Sequence, residues 1–147
     1  MTERGDRIFE DFRQSLLMVE ELKNDEGCVL KPYKDSVGKL TLGIGRNLDD
    51  VGISQDEADF LLMNDIRKAE NEALKFSWYS ALTPARKRVV INMIFNLGMA
   101  GFSKFKQTIS YIERGMYDKA ACSMMESRWA GQVGRRAIRL QSMMRDG

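Results

Sequence analysis

The chain has 147 residues, with no histidine, only two cysteines and only two prolines. Without histidine, a Ser–His–Asp triad, a Cys–His pair and a His-ligated zinc site are excluded. Acid–base chemistry must then fall to carboxylates, Lys, Tyr or Cys. Cys28 and Cys122 are too few for a disulfide framework, and we expect two free, partly buried thiols in a reducing cytoplasm. A reactive Cys28 would need an exposed, electropositive setting that the sequence does not indicate. There is no run of eighteen apolar residues, so no membrane span is expected. The opening MTERGDRIFEDFRQ has neither an apolar stretch nor a small-residue cleavage site, and we expect no signal peptide.

What is present reads as one globular domain, 44% apolar and 30% charged, long enough to bury a core. The net charge of +2 is unevenly spread. Residues 1–103 carry 14 basic and 17 acidic side chains, whereas residues 104–147 carry 9 and 4. A basic C-terminal third suits an anionic partner such as nucleic acid, a membrane surface or a wall polymer; a solvated helix face accounts for it equally well.

Apolar residues Ile8, Phe9, Phe12, Leu16, Leu17, Val19 and Leu22 fall at helical spacing over residues 6–24, predicting one helix or two abutting ones. Residues 29–48 change character. Pro32 stops helix, Val37 through Leu42 alternate loosely, and Gly38, Gly43 and Gly45 supply turns, which predicts a two- or three-stranded antiparallel sheet. Ser54 with Glu57 three residues on marks a helix start, and the pattern continues to about Phe76. Thr83-Pro84 opens another helix. Its apolar run through Leu97 marks it as buried, with Gly98 as its stop. A segment from Gly101 to Ile112, a helix over Tyr117–Ser127, chain breaks at Gly131 and Gly134, and a basic helix over Arg135–Arg145 complete the reading. Ten methionines at helical spacing suggest core filler.

The chemistry concentrates in residues 25–48. Glu26 ends the first amphipathic run, Asp35 follows nine residues later, and Thr41 six after that. A carboxyl at a helix end and another in a hairpin can serve glycoside hydrolysis, in which one donates a proton and the other stays charged. Taken singly, each acid is as well read as a solvated surface group.

The string Glu26, Asp35, Thr41, Gly43-Ile44-Gly45 closely resembles the catalytic signature of the phage-type lysozymes, glycoside hydrolase family 24. The pieces ISQDEADFLL, INMIFNLGMAGF, YDKAA and SRWAGQ resemble family segments in the same order, so the likeness covers roughly residues 16–145. It implies an α+β, predominantly helical, lysozyme-like fold in one domain over residues 1–147. The expected parts are a small antiparallel β lobe at about 28–50, a linking helix at about 54–76, and a helical lobe at about 83–146 joined by the N-terminal helix. It implies a muramidase cleaving the β-1,4 bond between N-acetylmuramic acid and N-acetylglucosamine in peptidoglycan. Glu26 would be the general acid, Asp35 the charge stabiliser and water activator, and Thr41 the water-positioning residue. An inverting reaction would place the two carboxyl groups about 6.5–9.5 Å apart.

By the same resemblance Arg136, in QVGRRAI, would support the catalytic Glu; a solvated Arg is the alternative. Phe95 and Asn96 would line the sugar cleft, and Asn47 and Leu48 its edge, although Phe95 reads equally well as core. Some members have His where this chain has Arg46, which would pair with an acid on the long helix or remain solvated. No cofactor or metal is implied. The expected enzyme is a monomer without stable membrane insertion or nucleic-acid partner, held in the host cytoplasm until a holin opens the inner membrane. A lytic transglycosylase, a catalytically silent wall-binding module and a small nucleic-acid-binding domain are the competing readings. The first is disfavoured by the presence of Asp35 and Thr41, and the last by the lack of a recognition motif.

Overall fold

The computed structural model describes residues 3–147. The chain forms two compact units, one running to Ala58 and the other Asp59–Gly147. The described residues are mainly helical, with one three-stranded antiparallel sheet, the α+β class expected.

In the first unit, α1 is a single helix, Glu3–Glu26. It stops because Gly27 takes the left-handed conformation (φ 71) and turns its N–H back to the Lys23 carbonyl. Within this unit Ile8, Phe9, Phe12, Leu16, Leu17 and Leu22 stay exposed. The sheet follows in order β1 (Val29–Lys34), β2 (Leu40–Gly43) and β3 (Arg46–Asn47). Tyr33 pairs with Thr41, and Thr41 with Asn47. The β1–β2 register shifts between Val29 and Tyr33, where Pro32 offers no backbone donor to the ladder. Val37 lies in the β1–β2 turn, outside the strands. Asp35 carries enough local hydrogen bonding to hold that turn.

Helix α2 (Gln55–Ala73) begins in the first unit. Its capping box is complete: Ser54 N–H donates to Glu57 Oε2 at 2.8 Å, and Glu57 N–H to Ser54 Oγ at 3.2 Å. It ends three residues short of Phe76, in a turn closed by Phe76 N–H on the Ala73 carbonyl.

The second unit packs α3 (Pro84–Ser103), α4 (Lys106–Glu113), α5 (Tyr117–Met125), α6 (Arg128–Val133) and α7 (Arg135–Asp146). Thr83 caps α3 by accepting the Arg86 N–H. The helix kinks at Gly98 (φ 70, ψ 166) and resumes to Ser103. The expected stop is therefore an interruption, and residues 101–103 belong to α3. The core holds Val89, Val90, Met93, Phe102, Ile112, Met124, Leu140 and Met144, all essentially inaccessible. Burial of each such side chain contributes roughly 1.5–3 kcal/mol. Three of these eight are methionines, while Met18 and Met63 are exposed, so the filler reading holds only in part.

Two expectations are corrected here. Gly131 does not break the chain: it sits inside α6, whose Trp129 and Ala130 are buried. That burial outweighs the roughly 1 kcal/mol helix penalty of a glycine. Both cysteines are exposed and not partly buried.

Candidate active site

Glu26 is the last residue of α1 and lies against the β2–β3 hairpin. A Cβ built on Gly45 would fall 2.8 Å from Glu26 Oε2 and 3.0 Å from its Cδ. Strands β2 and β3 are joined only by Ile44 and Gly45, and Gly45 has φ 67. This two-residue connection requires a positive φ that glycine adopts freely.

Asp35 occupies the β1–β2 turn. Its Oδ1 accepts the Val37 N–H at 3.0 Å and the Lys39 N–H at 2.8 Å, a local side-chain turn characteristic of Asp. The backbone closes around it, with Asp35 N–H on the Lys39 carbonyl at 2.9 Å and Gly38 N–H on the Asp35 carbonyl at 3.0 Å. One carboxylate oxygen is thus anchored by two amides.

Thr41 lies in the central strand, only 4% exposed, and its hydroxyl donates to the Lys39 carbonyl at 3.1 Å. The hydroxyl oxygen retains lone pairs for a further donor such as water.

The loop after β3 braces the Asp35 turn. Lys39 Nζ donates to Asp50 Oδ1 at 2.9 Å, and Asn47 Nδ2 donates to Asp50 Oδ2 at 2.9 Å. Asp50 N–H returns to Asn47 Oδ1 at 3.0 Å, and Asp49 Oδ2 accepts the Leu40 N–H at 2.8 Å. Leu48 is half-buried, and its N–H donates to the Leu40 carbonyl at 2.7 Å. Asn47 therefore spends both side-chain termini within its own loop. Sequence reasoning missed Lys39, Asp49 and Asp50; the run Asn47-Leu48-Asp49-Asp50 was the available turn signal. Arg46 pairs with Glu57 of α2, one of the alternatives expected for it.

Phe95, Asn96 and Arg136 belong to the second unit. Phe95 is 48% exposed, which removes the pure-core alternative. It borders a groove of about 390 Å³ shared with Leu62, Ile66, Arg88, Ile91, Asn92 and Arg136. Phe95 also borders a groove of about 480 Å³ with Asp65, Lys68 and Glu72 on its wall. Asn96 does not line either groove, and its Oδ1 accepts the Trp129 Nε1–H at 2.8 Å. Arg136 is exposed at the start of α7. Arg88, one helical turn before Ile91, and Asn92, one turn before Phe95, were not singled out from the sequence.

Among the described residues no group of three or more metal-ligating side chains converges, and no helix is long and apolar enough to cross a membrane.

The family model described as phage lysozyme matches residues 23–145. A probable T4-type lysozyme 2 of Dictyostelium discoideum is 31% identical over 156 residues, covering 86% of this chain and 92% of the relative. An endolysin of Acyrthosiphon pisum secondary endosymbiont phage 1 is 29% identical, with 78% of this chain and 80% of the relative covered. A SAR-endolysin of Escherichia phage Mu is 28% identical, with 87% and 75% covered.

Proposed function

Because the chain belongs to the phage lysozyme family, we propose that it is a muramidase acting as an endolysin, hydrolysing the β-1,4 bond between N-acetylmuramic acid and N-acetylglucosamine in peptidoglycan. The observation that carries this reading is local to the first unit. Glu26 closes α1 against the β2–β3 hairpin, Asp35 is fixed in the β1–β2 turn, and Thr41 lies between β1 and β3.

In this reading Glu26 protonates the departing glycosidic oxygen. Asp35, with one oxygen tied to the Val37 and Lys39 amides, offers the other to the developing oxocarbenium charge and to the proton of the attacking water. The Thr41 hydroxyl, donating to Lys39, accepts a hydrogen bond from that water and holds it on the opposite ring face. Attack from that face inverts the anomeric centre. By the family resemblance, Arg136 is assigned to supporting the acid, and Phe95, Asn96, Asn47 and Leu48 to sugar binding. The chain works as a single-domain monomer without cofactor. It accumulates in the host cytoplasm and reaches the wall once a holin has opened the inner membrane.

The test is turbidity loss of chloroform-treated Gram-negative cells, wild type beside Glu26→Gln. Clearing by the wild type alone supports the assignment, and analysis of the product ends then separates hydrolysis from the anhydro product of a transglycosylase. Equal clearing by both proteins removes Glu26 from the mechanism. A folded wild type that clears nothing points to a silent wall-binding module.

A further inference from the structure

We infer that Gly45 is a positioning residue for Glu26: the bare backbone of the β2–β3 hairpin forms the floor on which the carboxyl rests, and any side chain there would lift it. The inference rests on Glu26 being the acid, as proposed above.

The observation is a close approach between residues nineteen apart in sequence. A Cβ on Gly45 would meet Glu26 Oε2 at 2.8 Å, Cδ at 3.0 Å and Cγ at 3.3 Å. All three atoms lie beyond the Glu26 Cβ, so the rotatable end of the side chain would yield before the backbone. Restoring ordinary van der Waals contact takes a shift of roughly half an ångström or more, about the tolerance within which a catalytic group must be held. A misplacement of about 1 Å can cost roughly a hundredfold in rate.

Substitution at Gly45 also strains the backbone, since its φ is 67. The same hairpin supplies a control for that strain. Gly43, at the end of β2, has φ 70, and a Cβ there meets nothing within 4 Å. An alanine at either position carries the same left-handed penalty, but only the one at Gly45 touches the carboxyl.

The experiment compares wild type, Gly45→Ala, Gly43→Ala, Glu26→Asp, Glu26→Gln and the Gly45→Ala/Glu26→Asp pair, reading thermal midpoint, kcat and KM on solubilised peptidoglycan. Gly45→Ala and Gly43→Ala should lower the midpoint alike. Gly45→Ala should lower kcat roughly ten- to a hundredfold further than Gly43→Ala, with KM little changed. The shorter Glu26→Asp side chain withdraws from the new methyl, so its kcat penalty should shrink in the Gly45→Ala background. Equal kcat for the two alanine variants, or independent effects of Gly45→Ala and Glu26→Asp, would overturn the inference while an inactive Glu26→Gln leaves the acid assignment standing. A Glu26→Gln enzyme with wild-type kcat would overturn that assignment and the inference with it.

Discussion

Arg46 and Glu57 join β3 to the first turn of α2 through a two-pronged contact. Arg46 Nη1 donates to Glu57 Oε2 at 3.1 Å and Nη2 donates to Oε1, while Nη1 also reaches the Gly52 carbonyl at 3.3 Å. Glu57 Oε2 simultaneously accepts the Ser54 N–H. One carboxylate thus serves both the helix cap and the sheet, and the planar fork of Arg suits that double duty better than an ammonium.

This contact has a pH signature. The Ser54 amide first, and then Arg46, hold the Glu57 carboxyl below its ordinary value. A carboxyl lowered in the folded state stabilises fully above its unfolded value and loses that contribution as pH falls through its folded value. Urea midpoints measured from pH 7 to pH 3 should therefore show Glu57→Gln less stable than wild type near neutrality, with the gap closing in acid. A gap that is constant with pH would contradict the linkage.

The two bonds to Asp35 Oδ1 separate turn building from chemistry. Asp35→Asn retains a carbonyl oxygen for the Val37 and Lys39 amides, so stability should change little while turnover falls by roughly 10²- to 10⁴-fold, the range for a lost acid–base group. Asp35→Ala should lose the turn as well, at a cost of about 1 kcal/mol per hydrogen bond. Paired denaturation and turbidity assays read both effects. An active Asp35→Asn enzyme would exclude Asp35 from the reaction.

Arg86 closes the far end of the second unit. Its Nε donates to the Met144 carbonyl at 2.8 Å and its Nη2 to the Arg145 carbonyl at 3.0 Å, and the guanidinium carbon lies 3.7 Å from the centre of the Tyr117 ring. It satisfies carbonyls at the end of α7 that have no partner within the helix. Arg86→Ala should cost about 2–3 kcal/mol in chemical denaturation, and Arg86→Lys should recover less than half of it. A loss under about 0.5 kcal/mol, typical of an ordinary surface change, would show that the contacts contribute little.

Asn96 accepts the indole N–H of Trp129, a side chain only 4% exposed. Asn96→Ala should cost about 1–3 kcal/mol by leaving that buried donor without a partner. Asn96→Asp keeps the acceptor and should keep the stability. Thermal denaturation measures this, and KM for the Asp variant reports separately on the proposed sugar contact.

Much of the site was legible because its signals are local. Ser54 and Glu57 cap a helix three residues apart, Thr83 and Pro84 open one, and Glu26-Gly27 ends one. In each case the hydrogen bonds run between near neighbours whose side chains name the partner. Asp35 was chosen as a carboxyl in a hairpin, and its bonds to Val37 and Lys39 are likewise short-range.

What failed or stayed hidden depends on contacts between distant residues. Residues 128–133 were read as broken because Gly131 disfavours helix, yet burial of Trp129 and Ala130 holds α6 together. Asn96 was singled out from the resemblance as a cleft residue, while its bond to Trp129, 33 positions away, left no mark in the sequence. By itself, then, the sequence determined the capped starts of α2 and α3, the single small sheet and the ordered Glu26, Asp35 and Thr41, because periodicity and capping are properties of neighbouring residues. Only the tertiary structure decided which side chains close on one another: the Glu26 carboxyl on the bare backbone of Gly45, Arg46 on Glu57 and Lys39 on Asp50. Those pairings depend on the path of the backbone between the residues, and local chemistry does not encode it.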